Sequence, residues 1–192
     1  MVHLLLRCYL PLQQDVNLKT SVHLFLMLIR QAGCFENGRF LVMSTNRLMS
    51  LIDALIEDAK TAVLATVDGK GAPRLRWITP GCIADRPGYL YIITAREFAK
   101  VSHARQHPPA SMLLQTRQLD KVLQLQGELA VLENPVIRNA TLERVSPMLT
   151  AFWKTGSENR ELIVLEFRIT EAVYYVPMAG TKELIVLDGS VA

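Results

Sequence analysis

The chain has 192 residues, half of them apolar, and a formal net charge of +3. That suits one domain with a proper core; the mixed charges give no basic face for nucleic acid, and no apolar run reaches the roughly 18 residues of a membrane span. Three scattered cysteines, Cys8, Cys34 and Cys82, build neither a disulfide framework nor a metal knuckle, which fits a reducing, cytoplasmic setting.

Residues 1–42 open on MVHLLLRCYLPLQQ, which is apolar without a clear period. SVHLFLMLIR (21–30), with Lys19 before it, has features of a signal-peptide core, but Arg30 and Gln31 stand where a cleavage site needs small residues. The favoured reading is an extension ahead of an ordinary start at Met43, one that packs poorly and adds nothing to a site. Asn46–Lys60 is an amphipathic helix: Leu48, Leu51, Ile52 and Leu55 follow the i, i+3, i+4, i+7 spacing. Ser44 or Thr45 can cap it, and Asp53, Glu57 and Asp58 are expected to face water.

Thr61–Val67 is a buried strand by its β-branched content. Asp68-Gly69-Lys70-Gly71 is a hairpin turn, its left-handed backbone assigned to Asp-Gly. Ala72–Pro80 returns as the partner strand. Arg74 and Arg76 are two apart and share one face of it. They read equally as a solvated surface or as an anion site at a rim.

Tyr89–Thr94 is a strong strand, and Arg96–Gln106 a helix ended by Pro108-Pro109. Lys100 falls in the helix's first turns, close to the strand end that carries Thr94. Helix N-terminal amides also attract phosphate. Arg76, Thr94 and Lys100 therefore offer two cations and a hydroxyl to a phosphate pocket. His103 and His107 are an i, i+4 pair without a third ligand, so they read as solvent-facing and no metal site is expected.

Ala110–Gln115 and Val122–Leu132 are strands, the second with a bulge at Gly127. Asn134-Pro135 starts a helix over Val136–Val145. Ser146–Arg160 is irregular, Leu162–Thr170 is a sixth strand, and Ala172–Pro177 ends the barrel sequence. The expected fold is mainly β: a six-stranded antiparallel split β-barrel with an N-terminal helix and short connecting helices. Its parts are an extension (1–42), the barrel (43–177) and a tail (178–192) whose Glu183–Leu187 reads as an edge strand. So small a barrel has no room inside for a cofactor, and a ligand must bind at a rim or between subunits. Gly-rich phosphate loops, a GxSxG elbow and a carboxylate pair in Thr61–Gln115 are all lacking.

The segments Gly71-Ala-Pro-Arg-Leu-Arg-Trp77, Tyr89-Leu-Tyr-Ile-Ile-Thr94, Phe98-Ala-Lys100 and His107-Pro108 resemble the flavin-binding split barrels of the pyridoxamine 5′-phosphate oxidase-like superfamily. The general stress protein branch is the nearest, and the likeness runs from about Leu51 to Pro177. It implies FMN as cofactor, with Arg76 and Lys100 neutralising its phosphate and Thr94 donating to it. Arg76, Trp77, Ile78 and Thr79 would run along the isoalloxazine by their backbone, with Ile93 and Ala99 completing the contacts. The flavin would lie at a homodimer interface, reached by Trp153 or its neighbours from the partner.

The implied activity is electron transfer between a reduced nicotinamide and a small-molecule substrate. The resemblance equally admits a non-catalytic flavin-binding stress protein or a cofactor-less, partner-binding dimer. It names no catalytic residue. Ala99 replaces a serine or arginine often found before the lysine. Val122 replaces a ring-contacting glutamine, with Gln124 as the same-face substitute. The oxidases' C-terminal block has no counterpart after Leu162, so true pyridoxamine phosphate oxidase activity is not expected.

Overall fold

The computed structural model describes residues 39–149 and 161–187. They form a mainly β structure with three α-helices and one mixed, unclosed sheet of nine strands. In chain order the elements are β1 (Arg39–Met43), α1 (Thr45–Ala59), β2 (Ala62–Val67), β3 (Pro73–Ile78), β4 (Pro80–Gly81) and β5 (Tyr89–Ala95). Then come α2 (Ala99–Gln106), β6 (Pro109–Gln115), β7 (Val122–Leu132), α3 (Pro135–Val145), β8 (Leu162–Val176) and β9 (Thr181–Leu187). The main path runs β1-β9-β8-β7-β6-β2-β3, and β5 leaves it by pairing with β8 and with the two-residue β4. Every pairing is antiparallel except β1 with β9.

This is the expected split-barrel class with nine strands in place of six. The sixth strand does not stop at Thr170. It continues through Ala172–Val176 as one 15-residue β8, because no glycine or proline interrupts it. Its first half pairs with β5 and its second with β9, while β7 follows it throughout. The register shifts between Gln126 and Gly127, the bulge that the glycine suggests. A Cβ on Gly127 would stand 2.2 Å from the Arg168 carbonyl oxygen. The strand near the C-terminal end runs Thr181–Leu187 and is flanked on its far side by β1. Residues 39–42, taken from sequence as part of the extension, are therefore strand.

On α1, Leu48, Ile52, Leu55 and Ile56 are buried against the sheet. Ser44 Oγ accepts from Arg47 N at 3.3 Å as the N-cap. Its expected water-facing acids are partly engaged: Arg144 of α3 donates to Asp53 at 2.6 Å and pairs with Glu57 at 2.9 Å. No helix among the described residues is long and apolar enough to cross a membrane.

Candidate functional site

The β2–β3 hairpin sets the geometry. Its left-handed residue is Gly71, at φ +79°, and not Gly69. Gly71 N donates to Asp68 O at 2.9 Å and Asp68 N to Ala72 O at 3.0 Å, the pattern of a turn followed by a glycine bulge. Asp68 Oδ1 accepts from Lys70 N and Ala72 N, both at 2.9 Å, and Oδ2 accepts from Arg74 Nε at 2.8 Å. The backbone bond from Ala72, then Arg74, holds the Asp68 carboxyl down at about 2.

The two arginines on this face of β3 are placed differently. Arg74 is neutralised by the turn's aspartate. Among the described residues Arg76 has no carboxylate partner; its Nη2 donates to Arg74 O at 3.0 Å, and its Nη1 is buried with no hydrogen-bond partner among them. Burial, and after it the charge of Arg74, disfavour the Arg76 cation.

Helix α2 begins at Ala99, three residues later than the sequence suggested. Arg96 is held outside it: its backbone N donates to Glu161 O, and its guanidinium donates to Glu133 at 2.6 Å and Glu161 at 2.7 Å. Lys100 thus lies in the first turn, half-buried, its Nζ 4.6 Å from the Phe98 ring centroid. Burial, then the charge of Arg76, hold its amine down at about 8. The charge of Arg76 therefore reaches the Lys100 amine.

Thr94 lies near the end of β5, paired with Ile163, and its Oγ1 is buried with no hydrogen-bond partner among the described residues. Buried polar groups left unpaired cost free energy and call for a partner. Ile93 is half-buried, and Ala99 is exposed. Ile78 is a core residue at 6% exposure, so only its backbone is available to a ligand. Thr79 follows β3 and is half-buried. Trp77 lies on the opposite face of β3 from Arg76 and is 63% exposed. β3 ends the main path of the sheet, so one backbone edge of Arg76–Ile78 has no strand beside it among the described residues. Gln124 and Val122 are half-buried on one face of β7. Trp153, Cys8 and Cys34 lie outside the described residues. Cys82 is partly buried, and burial pushes its thiol up to about 12.

Two residues at the site were missed. Thr66, 1% exposed, is hydrogen-bonded to His103 Nδ1 at 2.9 Å. His103 is thus half-buried against β2 instead of facing solvent; His107 is exposed. A signal existed for Thr66: period-2 alternation in TAVLATV places it inward with Leu64.

Residues 48–175 match the pyridoxamine 5′-phosphate oxidase family model, and the chain belongs to that family. No curated protein matches the chain. Solved structures share the fold. A NimC/NimA family protein of Clostridium acetobutylicum is 19% identical with a TM-score of 0.57, over 73% of this chain and 92% of that one. A protein of the same organism related to general stress protein 26 is 12% identical with a TM-score of 0.55, over 73% and 95%. An F420 reductase is 16% identical with a TM-score of 0.50, over 62% and 94%.

Proposed function

We propose that the chain is a cytoplasmic FMN-binding protein and a flavin-dependent oxidoreductase acting on a small molecule, with the flavin at a homodimer interface. The carrying observation is a set of buried donors without acceptors: Arg76 Nη1 and Thr94 Oγ1 lack partners, and the Lys100 cation is disfavoured by burial and by Arg76. A phosphate monoester carries close to two negative charges and strong acceptor oxygens. Charge-assisted bonds to such a group are the strong ones. A dianion would accept from the orphaned donors and reverse the repulsion between the two cations.

The free backbone edge of β3 supports ring contacts along Arg76, Trp77, Ile78 and Thr79, with Ile93 and Ala99 beside them. The flavin, when bound, supplies the electron transfer; this chain's residues bind and orient it. No general base or nucleophile is assigned. The F420 reductase among the fold's relatives favours a second reading, in which the same cations hold a deazaflavin.

The test is a visible spectrum of the purified protein, extraction of the chromophore, and titration with FMN. Arg76→Ala and Lys100→Ala should each weaken FMN binding at least tenfold, roughly the loss of one charged hydrogen bond. Unchanged affinity in both variants removes the phosphate assignment. A bound flavin that a reduced nicotinamide does not bleach leaves binding without turnover.

A further inference from the structure

The cations at this site are not all permanent. His103 stands one helical turn after Lys100 on α2, and its ring nitrogen Nδ1 is 2.9 Å from the buried Thr66 hydroxyl. Thr66 is in register with Arg74, and the next inward residue of β2, Leu64, is in register with Arg76. The helix therefore lies over the hairpin strands that carry both arginines. The Gly69 Cβ position, only 3.2 Å from Gln106 Oε1, puts the hairpin turn against the other end of α2. We propose that His103 is a further binding residue of the anion site, taking up a proton when a phosphate monoester engages Arg76 and Lys100. The inference rests on the anion reading of the site given above.

A hydroxyl can donate or accept. Thr66 can donate to Nδ1 of a neutral His103 and accept from the same nitrogen once it is protonated. The contact that holds the ring thus survives the change of charge, and Nε2 carries a donor in the charged form. The groups that act on His103 are Arg76, Arg74 and Asp68 of the hairpin and His107 of its own helix. Burial first, then Arg76, keep the free imidazole below its ordinary range; Asp68 alone among these charges opposes them. Arg74 is already neutralised by Asp68. Arg76 is then the principal cation opposing protonation, and it is the one an anion would neutralise.

The sign follows from linkage: a ligand that raises the pKa of His103 binds more tightly as pH falls through the range between its free and bound values. The experiment follows the four histidine ring signals of the full chain by NMR, with His103 assigned by His103→Gln. Titrations are run with no anion, with sodium sulfate, which stays dianionic, and with FMN. The titration midpoint of His103 should rise by about one pH unit or more with either anion, the range of a nearby opposite charge.

In FMN titrations, His103→Gln should match the wild type at about pH 8.5, where His103 is neutral, and bind several-fold more weakly at about pH 6. Equal weakening at both pH values would mean a structural role and overturn the proposal, as would FMN binding without movement of the His103 midpoint. The latter leaves the flavin reading intact. Sulfate raising the midpoint while FMN fails to bind sinks the flavin reading and sustains this one. If His103→Gln does not fold, the wild-type titrations still decide, with Thr66→Val used for assignment.

Discussion

Lys100 is a cation held where a cation is disfavoured. Its amine is kept at about 8, first by burial and then by Arg76. The unliganded fold therefore gains stability as pH rises from about 8 towards the amine's ordinary value near 10.4, where the unfolded chain still holds the proton. A bound phosphate reverses the influence of Arg76 and restores the proton. Below about 8 the amine is charged with or without ligand, and affinity is flat with respect to it. Above that, the complex keeps a proton that the free chain has lost, and each pH unit weakens FMN binding by up to about tenfold. Isothermal titration across this range should show the slope, with proton uptake seen as a dependence of heat on buffer. Lys100→Gln should bind more weakly and lose the slope. A wild-type affinity constant from about pH 7.5 to about pH 9.5 would disprove the role given to this amine. Sequence placed Lys100 near Thr94 by spacing and took Arg76 from the family resemblance. It could not show which of the two arginines is left without a carboxylate, because that depends on where the hairpin turns the Asp68 carboxylate. Nor could it pair Thr66 with His103, 37 positions apart, without knowing that α2 lies over β2.

Among the elements, β7 and β8 carry the most exacting contact. Where the register shifts, Gly127 passes so close to β8 that an added Cβ would meet the Arg168 carbonyl oxygen at 2.2 Å and the Phe167 ring at 2.7 Å. Phe167 is fully buried, so neither neighbour can yield cheaply. Gly127→Ala should destabilise the fold by about 2 kcal/mol or more, the scale of core overpacking, lowering the melting temperature by roughly 4–8 °C. Gly69→Ala is the contrasting case: its Cβ would meet only the end of the flexible Gln106 side chain at 3.2 Å, and its melting temperature should stay close to the wild type's. Equal melting of Gly127→Ala and wild type would show that the bulge can open. Strand and helix identities were legible because alternation in VLQLQGELAVL and the 3.6-residue stripe of α1 are local signals. The α2 boundary was not: Arg96 suits a helix, and what holds it outside is its hydrogen bonds to both Glu133 and Glu161. Likewise, β1 pairs with β9 across most of the chain, a contact no local pattern announces.

At the scale of the molecule, the edge strand β3 is the unusual surface. Leu75 is 69% exposed and Trp77 63%, and both lie on the face of β3 opposite Arg76. Their partners in register, Ala65 and Val63, and Leu113 beyond Val63 on β6, extend that face with half-buried apolar side chains. An edge strand that shows large apolar groups is a liability unless something covers it. The proposed homodimer would cover it, and would bring a second chain against the residues assigned to the flavin ring. The double variant Leu75→Lys, Trp77→Lys places two like charges on each copy of that face. By light scattering on a sizing column, the wild type should run as a dimer and the variant as a monomer with an unchanged far-ultraviolet spectrum. FMN affinity should fall in the same variant although Arg76, Thr94 and Lys100 are untouched, because a ring bound between subunits loses one wall. A monomeric wild type at micromolar concentration would remove the dimer. A monomeric variant that keeps full FMN affinity would leave the dimer standing and move the flavin away from its interface.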